Sequence, residues 1–192
     1  MTSQRFALFE TAIGACGIAW GERGIIGVQL PEGSPAGGRA RLRRRFPRAE
    51  EAPAPPHVQR VIGAITALLG GQHRDLTGVV LDMDRVPDFH RRVYEIARTI
   101  GPGETLTYGD IAARLGDDPR LARDVGQALG SNPFPIVVPC HRVLAAGGRL
   151  GGFSAHGGTA TKRRLLAIEG GLPDGERTLF DFDFARAPDQ RA

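Results

Sequence analysis

The chain is poor in residues that staple a fold or span a membrane. Cys16 and Cys140 are the only cysteines in 192 residues, and neither belongs to a CxxC pair. A disulfide framework and a cysteine-rich zinc site are therefore both excluded. The longest apolar candidate, Val61 to Leu69, falls far short of the roughly 18 residues that a membrane span requires, which argues against a membrane protein. At the N-terminus no basic region leads into an unbroken apolar block, because Glu10 and several glycines interrupt it, so a cytoplasmic protein is expected. Lysine is almost missing: Lys162 is the single one among 25 basic residues. Arginine forks suit phosphate, yet GC-rich codon usage, which also enriches Gly, Ala and Pro, explains the excess at least as well, and a net charge of +4 decides nothing. With 41% hydrophobic and 24% charged residues, the chain reads as one large globular domain or two small ones.

What is present divides into two halves. Apolar stretches Phe6 to Phe9, Gly17 to Trp20 and Ile25 to Leu30, separated by Gly14, Gly21 and Gly24, predict antiparallel strands. The proline-bracketed basic run 39–48 reads as a surface excursion with room for one short helix. Val58, Val61, Ile62, Ile65, Leu68 and Leu69 recur at helical spacing and stop at Gly70 and Gly71. Val79 to Leu81 reads as a last strand, and Asp84 to Pro87 as a boundary. Beyond it the chain turns helical. Phe89, Val93, Ile96, Ala97 and Ile100 share a face, Thr107 and Asp110 resemble a capping box for a helix to Leu115, and Asp118 and Pro119 look like the cap and first turn of a helix carrying Leu121, Val125 and Leu129. The last two have the dimensions of a helix-turn-helix. A hairpin around Gly147 and Gly148 and a final helix from about Thr161 to Glu169 suggest a winged DNA-binding module.

The chemistry concentrates in residues 132–143, NPFPIVVPCHRV. Three prolines, Pro133, Pro135 and Pro139, stiffen the approach to Cys140, and His141 and Arg142 follow directly. A thiol reacts as thiolate, which a neighbouring imidazole or cation favours. In an extended strand adjacent residues face opposite ways, so His141 reaches the thiol only in a turn or through a water. A third group is expected to orient the imidazole, and Glu169 suits that part best.

VPCHRV, with the upstream GQALGSNPFPI and the downstream GGFSAHGGTATKRRLLAIEG, resembles the O6-alkylguanine-DNA alkyltransferases, also called methylated-DNA–protein-cysteine methyltransferases. The resemblance is close over residues 88–170 and loose before them. It implies an α/β N-terminal domain (1–85) built on a small three-stranded antiparallel sheet, a mainly helical, winged helix-turn-helix C-terminal domain (86–172) and a tail (173–192). The partner it implies is double-stranded DNA containing O6-alkylguanine, and whether O4-alkylthymine is also repaired is left open by the sequence. By the same resemblance Cys140 is the alkyl acceptor, His141 its base through a water, Glu169 the carboxylate that orients His141, and Asn132 the hinge that ties the recognition helix to the active-site loop. Tyr108 rotates the nucleotide and approaches the guanine. Backbone groups near Cys140 and Val143 meet the exocyclic amine, Ser154 lies beside O6, and Arg123 replaces the extruded base. Ala122 and Gly126 are small enough for close approach of the helix to the minor groove. Phe153 stands where many relatives have Tyr, and the loop after it is two residues longer than in several of them. For the zinc that some relatives hold, the N-terminal half offers only Cys16, His57 and His73, so no metal and no cofactor are expected. The protein is expected to be a monomer.

The physics fits the resemblance, since chemistry at guanine O6 needs the base out of the duplex. Two other readings compete. One is a lesion-sensing, alkyltransferase-like DNA-binding protein that performs no transfer; such proteins replace the acceptor cysteine, and Cys140 is present. The other is a cysteine hydrolase, which needs an oxyanion hole that nothing in the sequence marks.

Overall fold

The structure is a computed structural model and describes residues 4–173 apart from 117 and 119. Most of the expected tail lies outside the described residues. Strands β1 (Gln4–Phe9), β2 (Cys16–Gly21) and β3 (Gly24–Gln29) run antiparallel as expected. The sheet is nevertheless four-stranded and mixed, in the order β3-β2-β1-β4, because β4 (Ala49–Glu51) adds to β1 in parallel. This corrects the expected purely antiparallel, three-stranded sheet. A parallel neighbour requires a crossover, and the basic excursion supplies it as helix α1 (Pro35–Arg45), begun by Ser34, whose hydroxyl accepts from Gly37 N at 3.1 Å.

Alternation along the strands decides which layer each side chain joins. Phe6 and Ala19 face α1 and surround Leu42, whereas Cys16, Ile18 and Trp20 face helix α2 (Pro56–Leu69) with its Val58, Ile65 and Leu68. That second layer continues without a break into the helical half, through Val93, Tyr94, Ile111 and Val125. Val79 to Leu81 makes no strand. Leu81 forms only an isolated bridge with Ile25, while Arg98 donates to Val79 O, which a longer strand would have paired, and to the carbonyls of Leu76 and Thr77 before it.

In the helical half, α3 (Asp88–Arg98) packs on α5 (Leu121–Gly130), and Tyr94 donates from its hydroxyl to Ala128 O at 2.8 Å. Helix α4 (Tyr108–Leu115) opens on the anticipated capping box, with Thr107 and Asp110 bonding reciprocally. Asp118 does not cap α5: its carboxylate accepts from Arg120 N at 2.9 Å in the preceding turn, and Arg120 occupies the cap position. The anticipated hairpin is also absent among the described residues. Strand β6 (Val143–Leu144) pairs in parallel with β5 (Leu106–Thr107), and the glycines at 147 and 148 form a 3-10 turn closed by Ala145 N to Arg149 O at 2.8 Å. Helix α6 (Gly158–Glu169) starts earlier than expected and ends at Gly170, whose φ of +74° suits glycine. No helix among the described residues is long and apolar enough to cross a membrane.

Candidate active site

The segment between α5 and β6 is shaped by its prolines and by one asparagine. Asn132 donates from Nδ2 to Val138 O and accepts Phe134 N on Oδ1, both at 2.8 Å, so a single side chain closes the loop from both ends. Ile136 is forced to a φ of +74°, where a β-branched residue is strained, and it is fully buried there. The loop delivers Cys140 into a 3-10 turn, Cys140–Arg142, rather than a strand. That turn resolves the facing problem of adjacent residues, because Cys140 and His141 no longer point to opposite sides of an extended chain.

Helix α6 supplies the opposing wall. Lys162 and Glu169 lie seven residues apart, hence on one face, and both are buried against the turn. Glu169 accepts from His141 Nε2 at 3.0 Å and from Arg142 Nε and Nη2 at 2.8 and 2.9 Å. Arg142 Nη1 donates to Ile100 O, fixing the guanidinium from the far side. Burial alone would raise the Glu169 carboxyl, but the opposing charges and hydrogen bonds of His141 and Arg142 outweigh it and hold the carboxyl at about 2. With Nε2–H donating to the ionised carboxylate, Nδ1 is the ring nitrogen left over. His141 Nδ1 is buried and has no partner among the described residues.

Burial pushes the Cys140 thiol up, opposed by a hydrogen bond with Asn132 and the charge of Lys162. The resting group is therefore a thiol that needs a base. Lys162, wholly buried, donates from Nζ to Val143 O at 2.6 Å and lies 5.8 Å from the centre of the Tyr108 ring. Its ammonium is lowered to about 8 by burial, partly offset by attraction to Cys140.

Cys140 belongs to the walls of two cavities. One, of about 290 Å³, is bounded also by Tyr108, Gly126 and Ser154; the other, of about 210 Å³, by Asn132 and residues of the first half. The structure thus brings together Cys140, His141, Glu169 and Asn132, and sets Tyr108, Gly126 and Ser154 around the thiol. Val143 contributes its backbone from full burial. Arg123 and Ala122 sit in the first turn of α5 outside both cavities; Arg123 is exposed, and Ala122 packs partly against the core. Arg142 and Lys162 were missed as site residues. A signal existed for Lys162, the one lysine in an otherwise arginine chain. No group of three or more His, Cys, Asp or Glu able to hold a metal occurs among the described residues.

Residues 88–171 match the model of the 6-O-methylguanine DNA methyltransferase DNA-binding domain. The methylated-DNA–protein-cysteine methyltransferase of Methanothermobacter thermautotrophicus is 34% identical over 160 residues, covering 83% of this chain and 82% of that protein. The chain belongs to this methyltransferase family. A DNA base-flipping protein of Thermus thermophilus is 38% identical over 73% of this chain and 92% of its own length. Among solved structures, Mycobacterium tuberculosis OGT in complex with DNA superposes with a TM-score of 0.71 at 30% identity, covering 93% of this chain and 99% of that one.

Proposed function

We propose that this protein is a cytoplasmic, monomeric DNA-repair methyltransferase that flips O6-alkylguanine out of duplex DNA and moves the alkyl group irreversibly to its own Cys140. The observation that carries the reading is the unpartnered Nδ1 of His141, which is free to accept a proton when Nε2–H donates its hydrogen bond to Glu169. The thiol proton passes to Nδ1 through a water, the thiolate attacks the alkyl carbon, the C–O6 bond breaks, and guanine leaves with the electron pair and takes up a proton. A thioether has no leaving group for a second step, so each molecule acts once.

The two domains, 1–85 and 86–172, divide the labour. Helices α4 and α5 act as the helix-turn-helix, with residues 144–150 in the place of a wing. Helix α5 enters the minor groove with Ala122 and Gly126 at its surface and Arg123 filling the gap left by the extruded base. Tyr108 rotates the nucleotide, Val143 and Cys140 carbonyls meet the exocyclic amine, Ser154 lies beside O6, and Asn132 ties α5 to the loop.

A hydrolase fits less well. The Cys140 amide, the natural first donor of an oxyanion hole, already donates to Val138 O at 2.8 Å. A sensor that performs no transfer has no use for a thiol followed directly by an imidazole that a buried carboxylate holds. Intact mass after incubation with duplex DNA containing O6-methylguanine tests the proposal: one added methyl per molecule supports it, and an unchanged mass with the lesion bound overturns it.

A further inference from the structure

The smaller cavity beside Cys140 is built differently from the one that holds Tyr108. Its outer wall comes from the first half of the chain: Gln29 at the end of β3, Glu32 after it, and Arg41 and Arg45 on α1. Arg41 pairs with Glu32 at 3.2 Å. Arg45 is half-buried and spends its donors on neutral groups, Val28 O at 3.0 Å and Pro133 O at 3.2 Å. Two guanidiniums thus face one carboxylate, and the wall carries an unbalanced positive charge. Burial lowers the Arg45 guanidinium and Arg41 lowers it further, while Glu32 opposes both. Beside them the Gln29 amide is 3% exposed; its Nε2 donates to Gly38 O, while Oε1 has no partner among the described residues.

Transfer geometry gives this wall a use. In a displacement at carbon, sulfur, carbon and O6 lie in line, so anything longer than methyl leaves that line sideways and needs room next to the sulfur. The larger cavity is occupied by the base in the proposed reaction, and the smaller one opens at the same thiol. Resting on that reading, we infer that the smaller cavity receives the tail of O6 substituents longer than methyl, and that Arg41 and Arg45 select tails ending in a carboxylate over neutral chains of equal length. The chemistry is unaltered: the C–S bond forms, the C–O6 bond breaks, guanine takes up the proton given up by the thiol, and the tail stays on Cys140 with its charge facing the arginines.

The test compares single-turnover transfer at saturating protein from duplexes carrying O6-methyl-, O6-carboxymethyl- or O6-propylguanine. Arg41→Met should slow carboxymethyl transfer about tenfold, the scale of one charge-assisted contact, and leave methyl and propyl transfer within about twofold. Glu32→Gln, which removes the competing carboxylate, should raise the carboxymethyl rate relative to propyl. An unchanged carboxymethyl-to-propyl ratio in both variants overturns the inference, as does an equal slowing on all three duplexes, which would assign Arg41 to DNA binding. If the unsubstituted protein fails on O6-methylguanine itself, the transfer reading fails, and the two failures are told apart.

Discussion

The protein buries two cysteines, and their surroundings differ in every respect that matters for reactivity. Cys16 opens β2 in the sheet half, 1% exposed, with Thr11 Oγ1 at 3.7 Å as its polar neighbour. Burial pushes its thiol up to about 11, and nearby Glu10 adds to the rise. Cys140 is also raised by burial, but it lies at the edge of two cavities with Asn132, Lys162 and the base-bearing turn around it. Burial alone makes a thiol inert. The difference lies in what each neighbourhood adds: an imidazole bonded to a buried carboxylate, a cation, and open space at the sulfur.

The largest expected effect separates the two sites outright. Cys140→Ala should abolish alkyl transfer while retaining DNA binding, and peptide mapping should place every methyl on Cys140 and none on Cys16. Methyl on Cys16 would erase the contrast.

Next in size is the base. His141→Ala should slow transfer by about 10²- to 10⁴-fold, the range of a positioned general base, with DNA affinity unchanged by titration. Glu169→Gln should slow transfer about 10- to 100-fold by loosening the ring that it orients, and the double variant should lose less than the two penalties combined, because both act on one nucleophile. Full additivity would separate Glu169 from the base.

Glu169 also links the site to stability. Its carboxyl is held at about 2 against an ordinary value of 4.5, so the folded state binds its proton less readily than the unfolded one. The resulting stabilisation is complete above about pH 5 and is lost as pH falls through 4.5 towards 2. Denaturant midpoints over that range should fall less steeply in Glu169→Gln, although that variant starts about 3–5 kcal/mol lower at neutral pH because His141 and Arg142 lose a buried partner.

Smaller effects belong to the surface and to the inert cysteine. Arg123→Ala should weaken retention of the flipped base about tenfold, read by a fluorescent base analogue at the lesion. Cys16→Ala should leave the transfer rate within about twofold and cost about 1 kcal/mol of stability from a small cavity.

Local signals were legible where the structure is local. The capping box at Thr107, the apolar stripe of α2 and the crowded loop before Cys140 depend on neighbours in the chain, and each formed as expected. Long-range partners were not legible. Strand β4 is a three-residue acidic edge, AEE, with no apolar alternation to announce it. The strand expected at Val79 to Leu81 shrank to a single bridge with Ile25, and its Val79 carbonyl went to Arg98, an arginine 19 residues away. At the site, the motif directed attention to Cys140, His141, Asn132 and Glu169, but periodicity does not show that Arg142 shares Glu169 with His141, or that Lys162 turns inward to hold Val143. A charged residue in a helix reads as solvated until its partners are seen, and those partners lie 19 and 27 residues away in sequence.

The pH dependence of single-turnover methyl transfer, measured for the unsubstituted protein and for His141→Ala, tests the central claim most directly. With a thiol raised by burial and a base to relieve it, the unsubstituted protein should transfer rapidly near neutral pH, while His141→Ala should be slow there and recover progressively as alkaline pH forms the thiolate unaided. Parallel profiles for the two proteins would contradict the account.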